Sequence, residues 1–184
     1  MTILAIVGGF VGFIFAIAFI TIGLKRFAQG VDGTLSLSNV QVILWTGVIA
    51  GTYIAMAILK QGFLADINSN LLGLMGISAG STVAATSIRT VQQPKIPARA
   101  SNVSYTPPRT RGLLAQEKKP DELSIAKLQM FTWTIVTLTI YVIVVASYLA
   151  NNRPELPDIG LGLLVLMGIS HSAYIGNKVT DKPV

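Results

Sequence analysis

Five charge-poor apolar stretches govern what this chain can fold into. They run from Ile3 to Leu24, Val40 to Leu59, Ile67 to Ser87, Ala126 to Leu149 and Ile159 to Asn177. A hydrocarbon core about 30 Å thick takes about 20 residues of helix to cross. Backbone groups left unpaired in lipid cost several kcal/mol each, so a chain crosses as helix unless it closes a barrel. No acidic or basic side chain lies deep in any of the five stretches. With 52% hydrophobic and 12% charged residues and a mean hydropathy of +0.63, the chain is too apolar for an ordinary soluble domain. The expected fold is therefore all-α, a polytopic membrane helix bundle with five transmembrane helices.

The first stretch reads as a retained anchor rather than a cleaved signal, because no basic residue precedes it and Lys25 and Arg26 follow it. Alternating the spans places Lys25, Arg26, the segment from Arg89 to Lys127, Lys178 and Lys182 on one side, which is twelve of the fourteen Lys and Arg. Only Lys60 and Arg153 fall on the other side. Basic loops stay cytoplasmic, so the N-terminus is expected outside and the C-terminus inside. The net charge of +6 is thus explained by topology, and nucleic acid is not an expected partner.

Two halves of the chain repeat each other. Leu35-Ser36, Gln41, Trp45-Thr46, Val48 and Tyr53 return 88 residues later as Leu123-Ser124, Gln129, Trp133-Thr134, Val136 and Tyr141. Leu64, Asp66-Ile67, Leu71-Leu72 and Leu74-Met75-Gly76-Ile77-Ser78 return at an offset of 92 as Leu156, Asp158-Ile159, Leu163-Leu164 and Leu166-Met167-Gly168-Ile169-Ser170. The extra four residues are assigned to the second outer loop, around Asn151 to Pro157. Both copies start and end on the cytoplasmic side, so they are parallel repeats, a relation shared by transporter halves, pores and plain structural bundles. The organisation is an N-terminal transmembrane helix (1–26), a first hairpin (35–88), a basic Pro-rich cytoplasmic connector (89–122), a second hairpin (123–178) and a tail (179–184).

The repeated residues have bland readings. Ser36 and Ser124, and Asp66 and Asp158, precede spans and suit helix N-capping. Gln41 and Trp45, like Gln129 and Trp133, share a helix face at the cytoplasmic boundary. There Trp is an interfacial anchor, and Gln serves as an interhelical clamp or, alternatively, lines a permeation path. Gly8, Gly12 and Ala16, then Gly47, Gly51 and Ala55, and Gly76, Gly80 and Ala84 are small residues four apart, matched in the second copy by Gly168 and Ser172. They let helices approach closely. The fourth span has Ile135, Thr139 and Ile143 instead of Gly47, Gly51 and Ala55, so the hairpins cannot pack identically, and one of them is expected to meet the first helix or another subunit.

The inner halves of the third and fifth spans are polar, with Ser78, Ser81, Thr82, Thr86 and Ser87 in one and Ser170, His171, Ser172 and Tyr174 in the other. Ser78, Ser170, His171 and Tyr174 are accordingly candidates for interhelical or pore-lining roles. His171 is the only histidine and replaces Ala79 of the first copy. A pigment or haem ligand would need a second ligand, which the chain does not offer. The absence of cysteine excludes thiolate catalysis, iron–sulfur ligation and Cys-type zinc sites. There is no phosphate loop, dinucleotide fingerprint or zincin pair, and Asp66 and Asp158 lie across the membrane from His171. No catalytic, cofactor-binding or metal-binding residue is assigned, and the chain is expected not to be an enzyme.

The segment from Arg89 to Pro120 carries five prolines among seven Lys and Arg, with an apolar patch at Leu113-Leu114-Ala115. It suits an irregular cytoplasmic loop, with anionic headgroups or a protein as partners. In its paired Leu-Ser-x4-Gln-x3-Trp-Thr and Leu-Met-Gly-Ile-Ser runs, and in Leu156-Pro157-Asp158-Ile159, the chain resembles bacterial multi-pass inner-membrane proteins to which no activity is attached. The first copy departs from that pattern at Ala65, where the proline is missing. The resemblance implies a bacterial inner-membrane address and no chemistry. The expected function is a non-enzymatic structural or scaffold subunit of a membrane complex, contacting lipid and its own copies or a partner. The alternatives are a small oligomeric channel and, behind it, a secondary transporter.

Overall fold

A computed structural model describes residues 3–29, 35–62, 66–92, 113–114 and 123–180. Five helices follow one another: α1 (Ile3–Phe27), α2 (Leu37–Leu59), α3 (Ser69–Gln92), α4 (Ile125–Ala150) and α5 (Leu161–Thr180). Among the described residues there is no strand, only an isolated bridge between Gln29 and Leu35. Four helices are long and apolar enough to cross a membrane: α1, α2, α3 over Ser69–Ile88, and α4.

The helix ends differ from the simplest reading of the sequence. Ser36 holds the N-cap position of α2, but its hydroxyl pairs with that of Ser38 at 3.0 Å. Ser124 caps α4 by accepting from the Lys127 amide at 3.4 Å. At the end that carries the α2–α3 and α4–α5 connections, labelled the outer end in line with the expected topology, the cap of α3 is Asn68, whose Oδ1 accepts from the Leu71 amide at 2.8 Å, and not Asp66. Asp158 does not cap α5 either. Its carboxylate accepts from Asn70 Nδ2 at 3.0 and 3.2 Å, while the Gly160 carbonyl receives the first amides of the helix. A cap must sit immediately before the first helical residue. Both helices start two residues later than their apolar runs, so the aspartates fall too early. The extra residues of the second copy are spent mainly on helix, for α4 has 26 residues against 23 in α2, a difference of three.

Both hairpins are entered through a comparable backbone hydrogen bond. The Ser36 amide donates to the Ala28 carbonyl and the Ser124 amide to the Leu114 carbonyl, each at 2.8 Å. The Leu113-Leu114 patch is thus docked on the bundle, with Leu113 packed on its inner apolar cluster. The rest of the expected connector from Gln93 to Glu122 lies outside the described residues, while Arg89–Gln92 continue α3. Asn39 Nδ2 donates to the Phe27 and Gln29 carbonyls at 3.1 and 3.0 Å, fastening the end of α1 to the start of α2.

Helix α1 lies antiparallel on α2 along a seam of small residues. A Cβ added at Gly8 would meet the Ala55 carbonyl oxygen at 2.7 Å, one at Gly51 would meet the Gly12 carbonyl oxygen at 2.5 Å, and one at Gly23 would meet Ile43 at 2.6 Å. Gly47 receives Ile20 in the same way. Such spacing lets two backbones approach until van der Waals contact replaces the hydrophobic drive that lipid cannot supply. The remaining surface of α1 is Ile, Val, Leu and Phe, exposed as a lipid-facing helix requires. On α4 the equivalent positions Ile135, Thr139 and Ile143 stay exposed, since bulky side chains there preclude a comparable seam.

The four helices of the two hairpins form the bundle proper, α2 beside α3 and α4, and α5 beside α3 and α4. Its outer half is an apolar cluster around Trp45, Ile49, Met56, Leu71, Leu74, Tyr141 and Met167. A second, smaller cluster closes the inner end with Leu37, Ala85, Met130 and Tyr174.

Candidate functional site

Between these two clusters runs a buried polar layer to which each bundle helix contributes. On α2, Gln41 falls between Leu37 and Trp45, and on α3, Ser78 and Ser81 fall between Leu74 and Ala85. On α4, Thr134 and Thr137 separate Met130 from Tyr141, and on α5, Ser170 and His171 separate Met167 from Tyr174. All seven polar side chains are buried. Steps of three or four residues between each polar side chain and its flanking cluster members keep it on the inward face of its helix.

Part of the layer is satisfied within it. Gln41 Nε2 donates across the α2–α4 interface to Thr134 Oγ1, which in turn donates to the Met130 carbonyl at 2.8 Å. Ser81 Oγ donates to the Ile77 carbonyl at 2.6 Å and Ser170 Oγ to the Leu166 carbonyl at 2.9 Å. Hydroxyls in helices commonly use the carbonyl one turn back in this way. His171 Nδ1 lies 2.8 Å from the Met167 carbonyl. Since a carbonyl only accepts, the proton sits on Nδ1 in the neutral ring and Nε2 is left as an acceptor. Six buried side-chain atoms have no hydrogen-bond partner among the described residues: Gln41 Oε1, Trp45 Nε1, Ser78 Oγ, Thr137 Oγ1, Tyr141 Oη and His171 Nε2. Buried side-chain polar atoms normally find partners, and each exception calls for an explanation.

The repeat does not use its matched residues alike. Gln41 is the interhelical clamp, whereas Gln129 stands exposed on α4. Trp45 is fully buried, its ring edge-on to Tyr141 at 6.1 Å, and so is a core residue rather than an interfacial anchor. Trp133 is half-buried against the outer cluster. Tyr174 belongs to the inner cluster, where its hydroxyl accepts from Lys178 Nζ at 3.1 Å. Among the glycines, Gly8, Gly12, Gly47 and Gly51 line the α1–α2 seam, and Gly168 faces Ile77 at 3.8 Å. A Cβ at Gly76 or Gly80 would meet nothing within 4 Å, because both lie on the outward face of α3 and not on the face that packs within the chain.

Reading the sequence alone missed Thr134 and Thr137 as members of the layer, and it placed Ser81 only among the polar residues of the inner half of its span. Ser81 lies one turn from Ser78, whereas the inward position of Thr134 and Thr137 becomes legible only once the rotation of α4 is known. Comparison with family models, curated proteins and solved structures returned no match. The polar layer and the open glycine face of α3 are therefore the features from which a role is argued.

Proposed function

We propose that this chain is a non-enzymatic, multi-pass subunit of an oligomeric assembly in a bacterial inner membrane, with a structural or scaffolding role. In this reading α5 is the fifth span. Its 20 residues rise about 30 Å at 1.5 Å each, which matches a bilayer core, and it lies against α3 and α4. The positive-inside bias puts the N-terminus outside, and the basic 89–122 connector faces anionic headgroups or a cytoplasmic partner.

The observation that carries the proposal is the contrast between two glycine faces. The seam on α1 and α2 is consumed within the chain, while Gly76, Ala79 and Gly80 of α3 stay exposed, with no described helix packed closely on the two glycines. Nearby on α5, Ser172, Ala173, Gly176 and Asn177 are also exposed, a small and polar surface unlike the Phe and Ile presented by α1. Faces of this composition suit helix–helix contact better than lipid. Photobleaching step counts in lipid nanodiscs test it. Wild-type protein is expected to be oligomeric and Gly76→Leu with Gly80→Leu to release folded monomers, whereas a monomeric wild type overturns the reading.

The buried polar layer favours a second reading, a small oligomeric channel whose apolar clusters close it at both ends. Reconstituted protein that passes no ion or solute across liposomes sinks that alternative.

A further inference from the structure

A cleft of about 270 Å³ opens between α2 and α3 of the first hairpin. Trp45, Thr46, Met75, Gly76, Ser78 and Ala79 contribute to its lining. Two of these residues carry buried polar atoms without a hydrogen-bond partner among the described residues, the Trp45 indole N–H and the Ser78 hydroxyl. Leaving such a group unpaired costs its full desolvation penalty. In a lipid environment no bulk solvent offsets that cost.

The second hairpin shows that the arrangement is particular to the first. There Ser170, the counterpart of Ser78, spends its hydroxyl on the Leu166 carbonyl at 2.9 Å. Gly168, the counterpart of Gly76, is covered by Ile77 at 3.8 Å, whereas a Cβ at Gly76 meets nothing. Trp133 is only half-buried, so its indole is not sealed in the core as that of Trp45 is. The first hairpin alone therefore combines a donor-only indole, a hydroxyl that has not turned to its own backbone, and open space beside both.

The chemical complement of this set is a small uncharged molecule that both accepts and donates. Among the described residues no charged side chain lines the cleft, which disfavours an ion, and the space holds several waters at about 30 Å³ each. We propose that the α2–α3 cleft is an intramembrane hydration site, in which water accepts from Trp45 Nε1–H and exchanges hydrogen bonds with the hydroxyls of Ser78 and Thr46. Both orphan atoms sit beneath the lining and not on its surface, so contact requires a side-chain shift. Met75, unbranched and half-buried, has the rotational freedom for it. The proposal does not rest on oligomer formation, since a helix seated on Gly76 would close the cleft over the water without replacing its bonds.

The test uses full-length Trp133→Phe protein, in which Trp45 is the sole tryptophan, labelled at the indole nitrogen. The sample is reconstituted in phosphatidylcholine–phosphatidylglycerol bilayers for water-edited solid-state NMR. Magnetisation is expected to pass from water to the Trp45 indole N–H. Filling the cleft by Ala79→Leu, or by Gly76→Leu should the first fail to fold, is expected to abolish that transfer, and Ala173→Leu on exposed α5 to leave it intact. Absence of transfer to Trp45, while Trp133 in Trp45→Phe protein shows it, overturns the proposal. So does transfer that persists in both cleft-filled variants, or that comes from lipid acyl protons instead of water.

Discussion

Gln41 of α2 donates its side-chain amide to the Thr134 hydroxyl of α4, a buried polar contact that ties the two repeats together at the inner edge of the bundle core. Thr134 passes the bond on to the Met130 carbonyl. The equivalent Gln129 lies exposed, and the contact is therefore made once although the sequence encodes it twice.

Removing that contact should cost the order of a membrane hydrogen bond, and only at one of the two positions. Gln41→Leu is expected to destabilise the bundle by about 0.6–2 kcal/mol. Gln129→Leu, at an exposed site, should stay within about 0.5 kcal/mol of wild type. Reversible unfolding in bicelles measures both, and equal losses would contradict the asymmetry.

The glycine seam makes a sharper prediction. Gly12 and Gly51 each face the other's carbonyl oxygen, so Leu at either site forces backbone apart and should cost about 1–3 kcal/mol or more. Detachment of α1 is read as loss of disulfide cross-linking between cysteines introduced at Ala5 and Ile58. The same substitution at Gly80 meets open space and should leave that cross-link intact.

At the outer ends the caps separate two residues that the sequence alone treats alike. Asn68→Ala removes the acceptor of the Leu71 amide and is expected to cost about 1 kcal/mol. Asp66→Ala, exposed and outside the cap position, should change stability by less than about 0.5 kcal/mol. A larger effect at Asp66 would place the start of α3 earlier than Ser69.

The two tryptophans should differ as strongly as the two glutamines. Trp45→Ala empties a fully buried site beside Tyr141 and is expected to cost about 3–5 kcal/mol. Trp133→Ala, half-buried, should cost clearly less in the same unfolding assay. Equal costs would mean that Trp133 is buried by an oligomeric neighbour, which itself supports the assembly reading.

Helical class, the approximate ends of the helices and the duplication were legible in the sequence, because lipid permits few backbone solutions and length alone selects the candidate spans. The small-residue rows of α1 and α2 were legible for the same reason, since close approach requires the absence of side chains at every fourth position. Which of the small-residue rows meet each other was not legible. Gly8, Gly12, Gly47, Gly51, Gly76 and Gly80 look alike as a pattern, and only the packing separates the four that are used within the chain from the two that are not.

The polar layer was the least legible feature. Gln41 and Gln129 sit in matching motifs, yet one is buried and the other exposed, and the same holds by degree for Trp45 and Trp133. The motif fixes residue type and spacing, which set the possible faces of a helix. Rotation about the helix axis is fixed by neighbours. Helix α2 is held by α1 along its glycine face and turns Gln41 and Trp45 inward, whereas α4, with Ile135, Thr139 and Ile143 in place of that face, has no helix there to set its rotation. The sequence by itself determined that two similar apolar helical hairpins form, and the tertiary structure decided that they are not equivalent, because α1 packs its glycine seam on α2 of the first and only touches α4 of the second.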